Sequence, residues 1–388
     1  MNFQKEWIEK LAGFKTLSEL HASDFFQRHW EEIVSFLQTP QIQIREKVVP
    51  HLNYFIRVAQ WNIEKGKRFD AVLDCLRQNG ILKWADIIIL NEVDYGMNRS
   101  QNRHVALELA DQLGMHMVYG PAHFELTKGT DDDLKIEGQN KESLQGNAIL
   151  SRFPVLKAML IPLPVSFEPY EFGEKRFGRR CCLWVQLQLR HCLLWVGSVH
   201  LELRNTPRCR ALQIQYIMDT LPDQGNVRYL LGGDLNTNSF GRGTTWRAIQ
   251  SISRLFFQSP VRVKKQLMHP EEGREPLFEV AKQNGFFWNT LNSNEETART
   301  ALDTLEESNQ LPELLLSIIK KRLGSYDGYL CLKLDWFLGK RLNALTDRQT
   351  SDIDTGVVSL NPGHINVLHY GPDRISDHLP IYVDLDLQ

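Results

Sequence analysis

Isolated polar residues close several of the apolar stretches of this chain, at points where a purely structural sequence would continue with Val, Ile or Leu. Asn62 and Glu64 follow VAQW, Glu92 follows ADIIILN, and His200 ends LLWVGSV. Asp234 and Asn236 end YLLGG, Asp335 follows CLKL, and Asp377 and His378 stand just before LPIYVDL. Strand ends are where α/β proteins build their sites, so these side chains are expected to converge on one rim. As donors they are a hard set, carboxylate and amide oxygens without a thiolate or an H-x-x-x-H pair, which favours Mg²⁺ or Mn²⁺ over Zn²⁺. The substrate suited to such a site is a phosphate ester: the cation polarises a phosphoryl oxygen, a carboxylate orients or deprotonates water, and His or Asn donors meet the charge that gathers on phosphorus.

Short strands alternating with helices are needed to hold these residues. Strands are expected at 55–61, 86–90, 147–151, 183–189, 193–200, 229–232 and 379–385, with helical stretches at 69–78, 104–113 and 208–221. Strand pairs mixed with helices imply a mixed sheet within an α/β fold. Ahead of them, Trp7, Leu11 and Phe14, then Phe25, Trp30, Ile33 and Phe36, recur at helical spacing and predict two short amphipathic helices. Residues 1–54 therefore read as a helical N-terminal extension of a domain covering 55–388. Two stretches look inserted. The polar, Gly-dotted segment 125–145 reads as a surface loop. The helix-rich segment 255–332 carries an apolar stripe, Leu305, Leu311, Leu314, Leu315, Ile318, Ile319 and Leu323, which reads first as core packing and second as a face for a protein partner.

Taken together, QWNIEKG (60–66), ILNEVD (89–94), GNAILSRFPV (146–155), SVHLE (198–202), GGDLN (232–236), LDWFL (334–338) and SDHLPI (376–381) resemble, in order and spacing, the signature blocks of the endonuclease/exonuclease/phosphatase superfamily. That group includes deoxyribonuclease I, apurinic endonucleases, deadenylases, neutral sphingomyelinases and inositol-phosphate 5-phosphatases. The resemblance covers roughly residues 55–386 and implies a four-layer sandwich of two packed mixed β-sheets flanked by helices. It also implies roles. Glu92 matches the family's metal-binding glutamate, with Asn62 beside it and Asp377 as a further metal or water ligand. Asp234 matches the aspartate that positions or activates water, and Asn236 the amide next to it. His378 matches the histidine that meets the phosphate, with Asp335 as its orienting carboxylate, and His200 a phosphate ligand or an acid for the leaving group. Asn147, Arg99, Arg103 and the basic run Lys175–Arg180, including Arg179, are candidates for further contact with substrate phosphates. Glu64 stands where some relatives carry a second acidic ligand, and Asn91 replaces the usual glutamine.

Composition narrows the class without choosing the substrate. The 45 Lys and Arg nearly cancel the 47 Asp and Glu, so any polyanion must be met by a local site rather than a global field. Six cysteines without paired C-x-x-C spacing suit reduced thiols, and the N-terminus lacks the apolar core of a secretory signal, so a cytoplasmic protein is expected. No apolar run approaches the roughly 20 residues of a membrane span. The expected activity is Mg²⁺-dependent phosphate-ester hydrolysis, of phosphodiesterase or nuclease type on nucleic acid or a nucleotide. The alternatives are a lipid- or inositol-phosphate-directed enzyme and a catalytically silent scaffold.

Overall fold

The computed structural model describes residues 3–165, 167–171, 173–221, 225, 227–238, 257–301, 317, 321, 329–346, 350–369, 371 and 373–386. Helices α1 (Phe3–Gly13), α2 (Leu17–Ala22) and α3 (Asp24–Gln38) lead into strands β1 (Gln41–Gln43) and β2 (Phe55–Lys65). Helix α4 (Phe69–Gln78) then carries the chain to β3 (Ile87–Tyr95), and α5 (Val105–Leu113) to β4 (His116–Glu125) and β5 (Leu144–Ser151). Strands β6 (Val155–Pro162), β7 (Arg176–Gly178), β8 (Cys181–Gln188) and β9 (Leu193–His200) follow. Helix α6 (Pro207–Thr220) then connects β9 to β10 (Arg228–Asp234). Helices α7 (Pro260–Met268) and α8 (Leu277–Gln283) precede β11 (Ala298–Ala301), β12 (Tyr329–Leu332), β13 (Asp335–Lys340), β14 (Gly363–His364) and β15 (Ile381–Asp386).

One sheet runs β1-β4-β5-β3-β2-β15-β14 with β7 on β4, and the second runs β13-β10-β9-β8-β6. Both are mixed: β2 and β3 are parallel, as are β9 and β10, while their other neighbours are antiparallel. Alternation along the strands explains the layering. Ile87 and Ile89 face the second sheet and pack with Val196, Leu230 and Phe337, whereas Ile88 and Leu90 face outward under α4 and α5. Trp184, Leu231 and Trp336 likewise carry the outer face of the second sheet under α6 and α8. The result is helix, sheet, sheet, helix, an α/β sandwich of four layers. Helix α4 follows from Phe69, Val72, Leu73 and Leu76, a buried stripe at i, i+3, i+4 and i+7. Helix α6 starts where Thr206 Oγ1 accepts the Cys209 N–H and Pro207 occupies the first turn.

Two differences from the sequence reading have local causes. Strand β4 is absent from the expected elements because Gly120 and Pro121 interrupt its apolar run; here Pro121 sits at a register shift against β5, a place in a sheet where proline is tolerated. At the N-terminus three helices form rather than two. Ser23 caps α3 by accepting the Phe26 N–H, splitting it from α2. These helices share a core with the sandwich: Leu11, Leu20, Phe26 and Ile33 pack with Phe124, Leu144, Tyr170 and Phe177, and β1 pairs with β4. Within 125–145, residues Asp131–Lys135 form a 3₁₀ turn and the ends belong to β4 and β5. The leucine stripe 305–323 lies outside the described residues. No described helix is long and apolar enough to cross a membrane.

Candidate active site

The four parallel strands end at the same rim. Asn62 and Glu92 stand near the ends of β2 and β3, and His200 and Asp234 close β9 and β10, whose register places Asp234 beside both His200 and Asp335. Each sheet thus supplies half of the constellation. The backbone departs from regular pleating here, with register shifts between Asn62 and Lys65 and between Leu90 and Val93. Glu64, Glu92 and Asn236 take left-handed backbone angles, φ +45°, +50° and +51°. For non-glycine residues these conformations are strained, and bulges of this kind re-aim side chains out of the pleat. The glycines before Asp234 let the strands close. A Cβ on Gly233 would lie 1.8 Å from the Val199 carbonyl oxygen, and one on Gly232 would meet Ile89 of the facing sheet at 2.7 Å.

Asp335 is wholly buried and accepts a 2.7 Å hydrogen bond from His378 Nδ1, while Gln60 donates to its other oxygen at 3.0 Å. His378 Nε2 lies 3.7 Å from Asp234 Oδ2. Burial disfavours the imidazolium, but Asp335 and Asp234 outweigh it and hold His378 protonated well above the usual histidine range. Asp234 accepts the Asn236 backbone N–H at 2.9 Å and the Asn62 amide at 3.2 Å. Burial, joined by the charges of Asp335 and Glu92 and opposed by His378, pushes its carboxyl up to about 7. His200 Nε2 is 3.3 Å from Asp234 Oδ2, and its Nδ1 meets Arg180 at 2.8 Å; burial and that guanidinium keep the ring neutral. Asn236 turns its amide N–H to the Leu201 carbonyl at 2.8 Å, so it shapes the turn and presents its backbone N–H to Asp234.

Glu92 and Asp377 put carboxylates on the wall of one cleft of about 230 Å³, which also includes His200, Asp234, Asn236 and His378. Burial opposes ionisation of Glu92, yet the nearby cations Lys65 and Arg180 help hold it well below the usual carboxylate range. Burial and the nearby Glu64 and Glu92 push Asp377 upward. Asn62 directs its amide N–H toward Glu92 at 3.5 Å and Asp234 at 3.2 Å, and its oxygen accepts the Glu64 N–H. It orients the carboxylates rather than aiming an oxygen donor into the cleft. Glu64 is engaged elsewhere, in a two-point pair with Arg374 at 2.6 and 2.8 Å. Among the described residues no cluster of three or more His, Cys, Asp and Glu forms a closed cation cage.

Beneath the cleft lies a buried amide ladder that sequence reasoning did not foresee. Asn91 accepts from Gln60 and from the Asp234 N–H, and donates to Asn147 and Ser198, so one short amide joins the two sheets. Asn147 spends its amide on Asn91 and the Cys181 carbonyl, and is part of this scaffold rather than the cleft wall. The signal was present in the odd polar residues, Gln60 and Ser198, inside otherwise apolar strands.

The basic candidates divide. Arg99 is buried in a two-point pair with Asp94 at 2.9 and 3.0 Å, and Arg103 pairs with Glu108 and covers the Phe69 ring, so neither is aimed at the cleft. Arg179 also lies off the cleft wall, on neighbouring pockets. The cations that do reach the cleft are Lys65, Arg176, Arg180 and Arg204. Of these Arg176 is tied to Glu125 and Glu174, and Arg180 stands 3.7 Å from Glu202.

A sandwich whose two sheets each end in half of one His, Asp, Glu and Asn constellation is the architecture of a phosphoesterase-type fold. The model of the endonuclease/exonuclease/phosphatase family matches residues 59–378, and the chain belongs to that family. Among solved structures it is similar to an endonuclease/exonuclease/phosphatase from Beutenbergia cavernae, at 17% identity and TM-score 0.48 over 86% of this chain and 72% of that one. It is also similar to the human Nocturnin catalytic domain with bound sulfate anion, at 16% identity and TM-score 0.45 over 90% and 97%. A third, from Leptotrichia buccalis, has 13% identity and TM-score 0.48 over 86% and 100%. No curated protein matches the chain.

Proposed function

We propose that this protein is a Mg²⁺-dependent phosphodiesterase of nuclease or nucleotide-directed type. The observation that carries the reading is the buried Asp335–His378 pair, 2.7 Å apart, facing Asp234 across a cleft that also holds the ionised Glu92. Two carboxylates on one wall fit a Mg²⁺ or Mn²⁺ ion, which is commonly held by one or two carboxylates, waters and the substrate's own phosphate. Glu92 and Asp377 would hold it, with Asn62 orienting Glu92; a cation bound there supplies Lewis-acid polarisation of a phosphoryl oxygen. Asp234 takes the proton of the attacking water, and its raised proton affinity suits a base working near neutral pH. Water oxygen then bonds to phosphorus as the ester P–O bond breaks, and the leaving alkoxide departs and takes its proton from solvent. His378, kept protonated and fixed in tautomer by Asp335, donates a hydrogen bond to the phosphoryl oxygen as charge builds there. Neutral His200 directs its Nε2–H at Asp234 and holds that carboxylate in line.

Residues 55–388 are the catalytic unit in this reading and residues 1–54 its extension, with the 255–332 segment as a surface for a protein partner. The free thiols of all six cysteines suit a reducing, cytoplasmic setting. The test is hydrolysis of single- and double-stranded DNA, RNA, nucleotides, inositol phosphates, sphingomyelin and a chromogenic phosphodiester with Mg²⁺, Mn²⁺ or EDTA, beside His378→Ala. Metal-dependent turnover of nucleic acid or nucleotide, lost in the variant, is the expected result. Turnover confined to sphingomyelin or inositol phosphates overturns the substrate assignment, and silence across the panel favours a scaffold.

A further inference from the structure

Strand β8 pairs with β9 in antiparallel register, Cys182 opposite Val199, so the residue just before β8 falls beside the last residue of β9. Those two are Arg180 and His200, and Arg180 Nη1 lies 2.8 Å from His200 Nδ1. A guanidinium carries only donors, so Nδ1 must accept with its lone pair, and the one proton of the neutral ring sits on Nε2. Asp234 receives that proton's hydrogen bond, with Oδ2 3.3 Å from Nε2. His378 brings its own Nε2 to within 3.7 Å of the same oxygen. The two histidines therefore present the same nitrogen to one carboxylate, yet their Nδ1 atoms meet opposite partners: the acceptor Asp335 for His378, the donor Arg180 for His200. His200 is buried, so bulk water does not compete for its Nδ1. The nearest carboxylate to that atom, Glu92, is 3.9 Å away, beyond hydrogen-bond reach. Arg180 is thus the group that decides which ring nitrogen is protonated.

In the opposite tautomer Nε2 would turn a lone pair on Asp234 Oδ2, and attraction would become repulsion at the carboxylate that takes the water's proton. The guanidinium also stands 3.7 Å from Glu202, so its charge is shared between two protein groups rather than held ready for a phosphate. We propose that Arg180 is a positioning residue for the hydrolysis: by donating to Nδ1 it locks His200 as the Nε2–H tautomer, which holds Asp234 for the attacking water. The catalytic consequence rests on the phosphoesterase reading of the cleft; the lock itself does not. A ring locked in this way protonates a leaving group only by becoming an imidazolate, so His200 serves as a hydrogen-bond donor and not as the acid for the departing oxygen.

The test uses the full chain labelled with ¹⁵N-histidine, whose long-range proton–nitrogen spectra separate the two neutral tautomers from the imidazolium; His200→Gln assigns the signals of that ring. Turnover is followed with bis(p-nitrophenyl) phosphate and Mg²⁺. The wild-type ring should be the Nε2–H form alone. Arg180→Gln, whose amide oxygen accepts a hydrogen bond, should bring in the Nδ1–H form and lower kcat about tenfold, the scale of one charge-assisted hydrogen bond, with KM within about twofold. Arg180→Lys, a donor like arginine, should keep the Nε2–H form and recover most of kcat. An Nδ1–H ring in the wild type, an unchanged tautomer in Arg180→Gln, or a raised KM at unchanged kcat, the mark of an arginine that binds substrate phosphate, overturns the assignment. Should circular dichroism show Arg180→Gln unfolded, the wild-type and Arg180→Lys spectra still decide between the tautomers. A wild type silent toward the phosphodiester counts against the proposed function, while the spectra go on testing the lock.

Discussion

At the residue scale the site is a set of oppositely tuned groups. Glu92 is held ionised by surrounding cations while Asp234, a few ångströms from Glu92's partner Asn62, is pushed to about 7, so two carboxylates in one cleft are fitted for different tasks. Glu92→Ala is expected to raise the Mg²⁺ concentration needed for half-maximal activity and to depress kcat by about 10²-fold or more; metal titration of turnover measures both. Asp335→Asn should act through His378, lowering kcat about 10²–10⁴-fold with metal affinity retained, and a change in the metal midpoint would make Asp335 a ligand instead. The pH profile has a definite sign. In the proposed mechanism Asp234 works as the carboxylate, so kcat/KM should rise with pH through about 7 rather than through the ordinary carboxylate range, and fall where His378 loses its proton, well above the usual histidine value. Most of these residues were legible in the sequence because each is a polar type ending an apolar run. Arg99 and Arg103 misled because a basic residue in a sequence carries no sign of its partner; Asp94 and Glu108 are what take them away from a substrate.

At the element scale the strands that bring the site together are pinned by a buried ion pair. Arg57 on β2 and Asp384 on β15 are cross-strand partners, joined at 2.8 and 2.7 Å, with the Leu360 N–H also on Asp384. Asp384→Ala would leave a buried guanidinium without its counter-charge, and is expected to lower stability by about 3–5 kcal/mol, read from urea unfolding. Gly233→Ala should be more damaging than an ordinary strand substitution, because its Cβ would have to occupy the space of the Val199 oxygen; loss of soluble protein or a lowered Tm beside an unchanged Gly80→Ala control, whose Cβ meets nothing within 4 Å, checks it. Periodicity revealed the elements with a single clear stripe, such as α4 and β9. It could not reveal β4, whose Gly-Pro break is absorbed by a register shift against β5, since that depends on a partner far along the chain.

For the whole molecule, the N-terminal helices are more than a tether. Removing residues 1–45 strips the cover from Phe124, Leu144, Tyr170 and Phe177 and the edge strand from β4, so the shortened protein is expected to be less stable and prone to association, as light scattering and thermal unfolding would record. The sequence showed helices there but not what their apolar faces covered. One further consequence follows from the position of β15, which lies inside the first sheet between β2 and β14 and is led in by His378. More than 300 residues separate Asn62 from His378. A ribosome adding about 5–20 residues per second needs on the order of tens of seconds to make that stretch. Throughout that interval the nascent chain lacks Asp377 and His378, and the constellation is complete only when the closing strand inserts between its older neighbours.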